Sequence, residues 1–210
     1  MTRRLDVTRG LDYRDPVPHA HREILAVLPE DPTGKPPLLF VSGDPRGARV
    51  FTEHWLPHAA HRGFPAHALS VRGQGGAAKV KGDLRAHAHD LAQAAASLAT
   101  RPVLLGHGKG AAILAEGLAR YPARAAVLIA PRLGRTVPPP PAGEPPILVA
   151  GDPGDKRAPQ AALEKTGAHY GVAPLLFQGA GHDMMLNAAW REPLDAILDW
   201  LDKLTEEERA

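Results

Sequence analysis

The stretch that decides the fold is Pro102-Val103-Leu104-Leu105-Gly106-His107-Gly108-Lys109-Gly110, followed by AAILAEGLARYP up to residue 122. A short apolar run ends in alternating glycines and passes directly into a helical segment, 109–121. Glycine lacks a Cβ, so this spacing permits a sharp turn and close backbone approach. The unit reads as strand, tight turn, helix. Working outward, comparable apolar runs end in Gly, Pro or a polar turn at 37–42 (PLLFVS), 66–71 (AHALSV), 125–130 (AAVLIA), 147–151 (ILVAG) and 173–178 (APLLFQ), with an earlier candidate at 21–28 (HREILAVL). Helical segments are expected at 49–61, 83–100, 159–167 and 190–208. In the second of these Asp83 is the expected N-cap, and Leu84, His87, Leu91, Ala94 and Leu98 mark one face. Apolar strands alternating with helices predict an α/β protein, a mostly parallel sheet with helices on both faces. Ligands in such sheets sit beyond the carboxyl ends of the strands. Chemistry is therefore expected in the loops after Val41, Val71, Leu105, Val149 and Phe177.

Composition narrows the chemistry. The 210 residues are 44% hydrophobic and 23% charged, as expected of one folded domain over 1–210, with a core at about 21–204 and an N-terminal extension at 1–20. The chain has no cysteine, which excludes disulfides, thiolate metal sites and a thiol nucleophile. Serine occurs only at Ser42, Ser70 and Ser97, so a nucleophilic hydroxyl has few places to be. Lys and Arg number 25 against 23 Asp and Glu, and no basic cluster stands out, so nucleic acid is not an expected partner. Arg3 and Arg4 are not followed by an apolar signal core, and no window approaches the ~18 apolar residues of a membrane span. A cytoplasmic protein without a membrane partner is expected. Its ligand is a small molecule of unspecified class, and its oligomeric state is not legible. Pro138 to Pro141 reads as a stiff connection.

The Gly106–Gly110 turn has the layout of a nucleophile elbow, and here the chain resembles the α/β-hydrolase fold superfamily, in particular its small bacterial lipase- and esterase-like branch. The resemblance runs from about His21 to Leu204. It is carried also by LLFVSG with FTEHWLPHAAHRGFPAHALSVRGQGG, by ILVAGDPGDKRAP and by GAGHDMMLNAAW. It implies an α/β-hydrolase fold with minimal or no cap, since 132–146 is Pro-rich without a helical period. It also implies a triad-equivalent histidine at His182 and an acid at Asp155, four residues before Pro159, with Asp152 as competitor. Backbone N–H groups of Lys109 and of Asp44 would form the oxyanion hole. Ser42, Gly43, His107 and Met184 are candidate substrate contacts. No cofactor and no metal is implied.

The departure from that pattern is Gly108, which stands where the family carries its nucleophile. Glycine closes the acyl-enzyme route at this position. Ser42 and Gln74 also replace histidines of the family pattern, and Asp44 places a carboxylate beside the hole. Ser42 is the only serine near the strand ends, and neither it nor Lys109 is assigned as a substitute nucleophile. His54, His58 and His61 fall at i, i+4 and i+7, with Pro57 between them. They read as a solvated helix face rather than a metal site.

Three readings follow. The first is non-covalent general-base chemistry by His182 and Asp155, or weak hydrolysis. The second is a catalytically silent pseudo-hydrolase that binds or scaffolds. The third is an ordinary serine esterase, if Gly108 is an engineered replacement. Whether the protein is an enzyme is left open by the sequence, which excludes only a conventional serine hydrolase as written.

Overall fold

A computed structural model of the chain describes residues 17–134 and 141–207. Among them run seven strands: β1 (Glu23–Val27), β2 (Leu38–Ser42), β3 (Ala66–Ser70), β4 (Val103–His107), β5 (Ala125–Ile129), β6 (Ile147–Gly151) and β7 (Leu175–Leu176). Between and after them lie α1 (Trp55–His61), α2 (Leu84–Ala96), α3 (Lys109–Leu118), α4 (Gln160–Tyr170) and α5 (Arg191–Glu207), with a short 3-10 helix at Gly47–Phe51. The strands form one sheet in the order β1-β3-β2-β4-β5-β6-β7, parallel except for the antiparallel β1–β3 pair. Every residue of β2, β4 and β5 is buried, whereas β1 at the edge alternates between half-buried and exposed.

The alternation of side chains along each strand builds two cores. Leu38, Phe40, Val103, Leu105, Val127 and Ile129 face one layer, packed with Phe51, Trp55 and Leu198. Leu39, Val41, Leu104, Ala126 and Leu128 face the other, against Leu91 and Leu114. Phe40, Phe51 and Trp55 pack ring against ring at 5.1–6.1 Å between centroids. Each such fully buried side chain contributes about 1.5–3 kcal/mol relative to exposure.

Three helical expectations are corrected. The 49–61 segment is broken into the 3-10 helix and α1, because Pro57 lacks an N–H and is tolerated only in a first helical turn, where the structure puts it. The buried face of α2 is Ala86, Ala88, Asp90, Leu91, Ala94 and Ala95, so Leu84 turns out to solvent. The face is rotated because Asp90 turns inward to bind Arg72, its Oδ1 accepting from Nη2 at 2.7 Å and its Oδ2 from Nε at 2.9 Å. Asp83 does cap α2, accepting from the N–H of Ala86 at 2.8 Å. His58 does not face solvent, since its Nε2 lies 2.6 Å from Asp195 of α5. His54 stacks on Trp190, against which the His58 ring also packs edge-on, so these two histidines pack on Trp190 and α5 rather than face solvent. Residues 131–134 and 141–146 contain no helix; the rest of the expected capless connection, and Pro138 to Pro140, lie outside the described residues. Among the described residues no helix is long and apolar enough to cross a membrane.

Candidate active site

The loops that follow β2, β4, β6 and β7 meet at the carboxyl end of the sheet. At its centre the β4–α3 turn holds Gly108 at φ 59°, ψ −118°, a conformation that strains any residue with a Cβ. Its N–H donates to the Ile129 carbonyl at 2.9 Å, and its own carbonyl accepts from the N–H of Arg132 at 3.0 Å. Gly110 lets α3 begin against β2: a Cβ there would lie 2.3 Å from the carbonyl oxygen of Val41. The turn is thus clamped from both sides by neighbouring strand ends.

His182 and Asp155 are brought together. The imidazole Nδ1 lies 2.5 Å from Asp155 Oδ2, with both side chains at least nine-tenths buried. Asp155 Oδ1 accepts from the N–H of Arg157 at 2.7 Å. With Nδ1 committed, Nε2 is the free nitrogen, and it faces the elbow. A Cβ built on Gly108 would lie 3.2 Å from it. The competitor Asp152 holds the loops instead, accepting from the N–H of Gly154 at 2.8 Å and of Gly181 at 2.7 Å. The turn therefore uses both aspartates, the first to fold it and the second to orient the histidine.

The two backbone donors expected for an oxyanion hole differ in their present partners. Lys109 opens α3, so its N–H is among those without an intrahelical acceptor. The Asp44 N–H is already used, donating to Ser42 Oγ at 3.0 Å. Ser42 is fully buried and does not line the cleft, which corrects its reading as a substrate contact. Its hydroxyl serves the turn. Asp44 does not aim its carboxylate into the cleft unpaired, since both oxygens are held by Arg46 at 2.8–3.1 Å. That guanidinium keeps the Asp44 carboxyl below its ordinary range, against the opposing effect of burial. Met184 is also corrected: it is fully buried in the core beside Leu194 and Ile197, because the chain turns inward directly after the histidine.

The cleft itself is about 230 Å³, lined by Gly43, Asp44, Pro45, His107, Gly108, Lys109, Arg132, Arg157, His182 and Asp183. Gln74 lies elsewhere, in a groove with Arg72 and Lys79. Sequence reasoning missed Arg132 and Arg157, which carry no motif of their own. Only their places directly after β5 and after the acid pointed to them. His107 is buried under His182, its Nε2 donating to the His182 carbonyl at 2.9 Å. Burial pushes its imidazole down to about 4, so it is neutral near pH 7. His107, His182 and Asp183 have potential ligand atoms within 4.8 Å of one another. The His107 nitrogen nearest to Asp183 is the one already bound to the carbonyl, so this set is not open to an ion as it stands.

No family model and no curated protein matches the chain. Solved structures match it over most of its length. A putative non-heme bromoperoxidase, BpoC, from Mycobacterium tuberculosis H37Rv aligns at TM-score 0.72 and 15% identity, over 90% of this chain and 97% of its own. A thermophilic esterase from Thermogutta terrifontis aligns at TM-score 0.72 and 16% identity, over 88% and 94%. An alpha/beta hydrolase enzyme from a lagoon-sediment metagenome of Mar Chica, Morocco, aligns at 0.68 and 11%, over 90% and 100%. The chain therefore has the α/β-hydrolase fold, with its mostly parallel seven-stranded sheet. Identities this low speak to the fold alone.

Proposed function

We propose that this protein is a hydrolase-fold enzyme that works without a covalent nucleophile, using His182 as a general base oriented by Asp155. The observation that carries this reading is the free Nε2 of His182 facing Gly108, with a virtual Cβ only 3.2 Å away. A water or an acidic substrate group in the space left by the missing side chain lies within hydrogen-bond reach of the base. Proton removal there, with the developing negative charge near the Lys109 N–H, supports hydrolysis by activated water or proton abstraction from the substrate. Metal chemistry and an acyl-enzyme are not needed for either.

The test uses a fluorophosphonate label and slow hydrolysis of p-nitrophenyl acetate. The wild-type protein is expected to remain unlabelled, while His182→Ala lowers the hydrolysis rate by about 10²–10⁴, the usual contribution of a positioned base. Equal rates in the two proteins, or stoichiometric labelling of the wild type, would sink the proposal.

A second reading has one observation in its favour. The Asp44 N–H is occupied by Ser42 Oγ, which leaves the hole one donor short. A silent binding protein built on this fold would tolerate that. It is distinguished by the same assay, because a pure binder shows no dependence on His182.

A further inference from the structure

We infer that the cleft takes a small substrate bearing a carboxylate or phosphate group, held by Lys109 and Arg132 beside the base. This rests on the reading of His182 as that base and adds the chemical class of what it acts upon. The argument is one of charge compensation around the cleft. Asp44 is matched by Arg46, which grips both of its oxygens. Asp183 is matched by Arg157, with Nη1 3.5 Å from Oδ2. Lys109 and Arg132 line the same cleft and have no acidic partner among the described residues. Three cations, Lys109, Arg132 and Arg157, thus line the cleft with two carboxylates, Asp44 and Asp183. Arg46 reaches Asp44 from outside the lining and Asp155 is taken up by His182, so Lys109 and Arg132 are left unmatched beside Gly108. His107 adds no charge, being held neutral by burial.

Neither side chain is placed there by the needs of the fold. Both are exposed, and Arg132 is fixed next to the elbow only by its backbone, through its N–H to the Gly108 carbonyl. A guanidinium and an ammonium at one mouth suit the oxygens of a carboxylate or phosphate. The volume of about 230 Å³ lies below the ~300–1,000 Å³ of sites for drug-sized ligands, so the molecule is short. Two cations near the reacting carbon also offset the negative charge that base chemistry develops, where the Asp44 N–H is not available.

Isothermal titration tests this without turnover. The wild-type protein is titrated with inorganic phosphate, with succinate and with neutral succinamide, at low and at high salt. One-site binding of phosphate or succinate is expected, weakened by salt, with no saturation by succinamide; the tighter of the two anions identifies the oxyanion. Arg132→Gln and Lys109→Gln should each weaken that binding about tenfold, the size of one lost charge-assisted contact, while Arg132→Lys retains most of it. Melting curves verify that each exposed-site variant is folded. The inference is overturned if neither anion saturates, if succinamide binds as well as succinate, or if both Gln variants bind like wild type. His182→Ala is titrated in parallel and should still bind the anion. Failure of binding therefore leaves the base to its own rate test, and failure of that rate test leaves the anion site standing.

Discussion

Replacing Gly108 by serine tests whether the β4–α3 turn can present a hydroxyl to His182. The cost comes from the backbone and from one contact. At φ 59° and ψ −118° a side chain carries strain of about 1–3 kcal/mol, and the new Cβ would lie 3.2 Å from His182 Nε2. That ring is pinned through Nδ1 to Asp155, so it yields little. For a chain of this size each kcal/mol lowers Tm by about 2–4 °C, giving an expected fall of about 2–12 °C. The gain is a hydroxyl one bond beyond that Cβ, within reach of the base. In subtilisin the serine is worth about 2 × 10⁶ in kcat. An oxyanion donor is worth about 10²–10³, and here the Asp44 N–H is bound to Ser42. The net expectation is an increase of about 10³–10⁴ in ester hydrolysis over the parent, with stoichiometric fluorophosphonate labelling. Ser42→Ala added to Gly108→Ser frees the second donor and should raise the rate further. Gly108→Ala is the control, sharing the strain and lacking the hydroxyl. If Gly108→Ser melts as cleanly as Gly108→Ala yet is neither labelled nor faster, His182 does not address the elbow and the reasoning fails.

Two further outcomes follow from the same geometry. His107 is held down at about 4 by burial against an ordinary 6.5, so the unfolded chain takes up a proton that the folded chain refuses. Stability is then unaffected above pH 6.5, falls as the pH drops from 6.5 to 4, and levels off below. The loss is about 3 kcal/mol, and His107→Gln should flatten that part of a urea-denaturation series across pH. The two aspartates of the acid turn should separate cleanly. Asp155→Asn keeps an oxygen that accepts from the imidazole Nδ1–H, so it lowers turnover by orders of magnitude at the smaller cost in Tm, whereas Asp152→Ala strands the N–H groups of Gly154 and Gly181 and costs about 1–3 kcal/mol of stability. A larger Tm loss in Asp155→Asn than in Asp152→Ala would reverse these assignments.

The sheet and the meeting of His182 with Asp155 were legible because they follow from local signals. β4, its glycine turn and α3 are continuous in sequence, and the acid and base occupy loops that the strand order must bring to one end. What was not legible depends on which way a side chain turns. Ser42 and Asp44 sit in the expected loop, yet a hydroxyl accepting from an amide two residues on is a matter of turn geometry that residue types do not fix. Met184 follows the histidine in sequence, but the inward course of the chain buries it. In α2, hydrophobic period favoured Leu84. The buried ion pair of Asp90 with Arg72 set the rotation instead, and its partner lies eighteen residues away.

The presence of His182 and Asp155 beside the glycine turn has two explanations that pull apart on physical grounds. Glycine at position 108 adopts φ 59° without the strain that a side chain would carry there, so the turn is stable with the residue it has. Asp155, by contrast, is buried, and removing His182 would leave one of its oxygens without its partner at 2.5 Å, a penalty the fold would bear. Stability alone thus accounts for a retained Asp155–His182 pair, and the pair by itself is weak evidence for catalysis. Stability does not account for Lys109 and Arg132. Both are exposed, both line the cleft, and neither has an acidic partner among the described residues. An anion seated between them, as inferred above, would supply the partner that neither has. Lys109 and Arg132, more than the Asp155–His182 pair, are the side chains of the cleft whose placement the fold does not require.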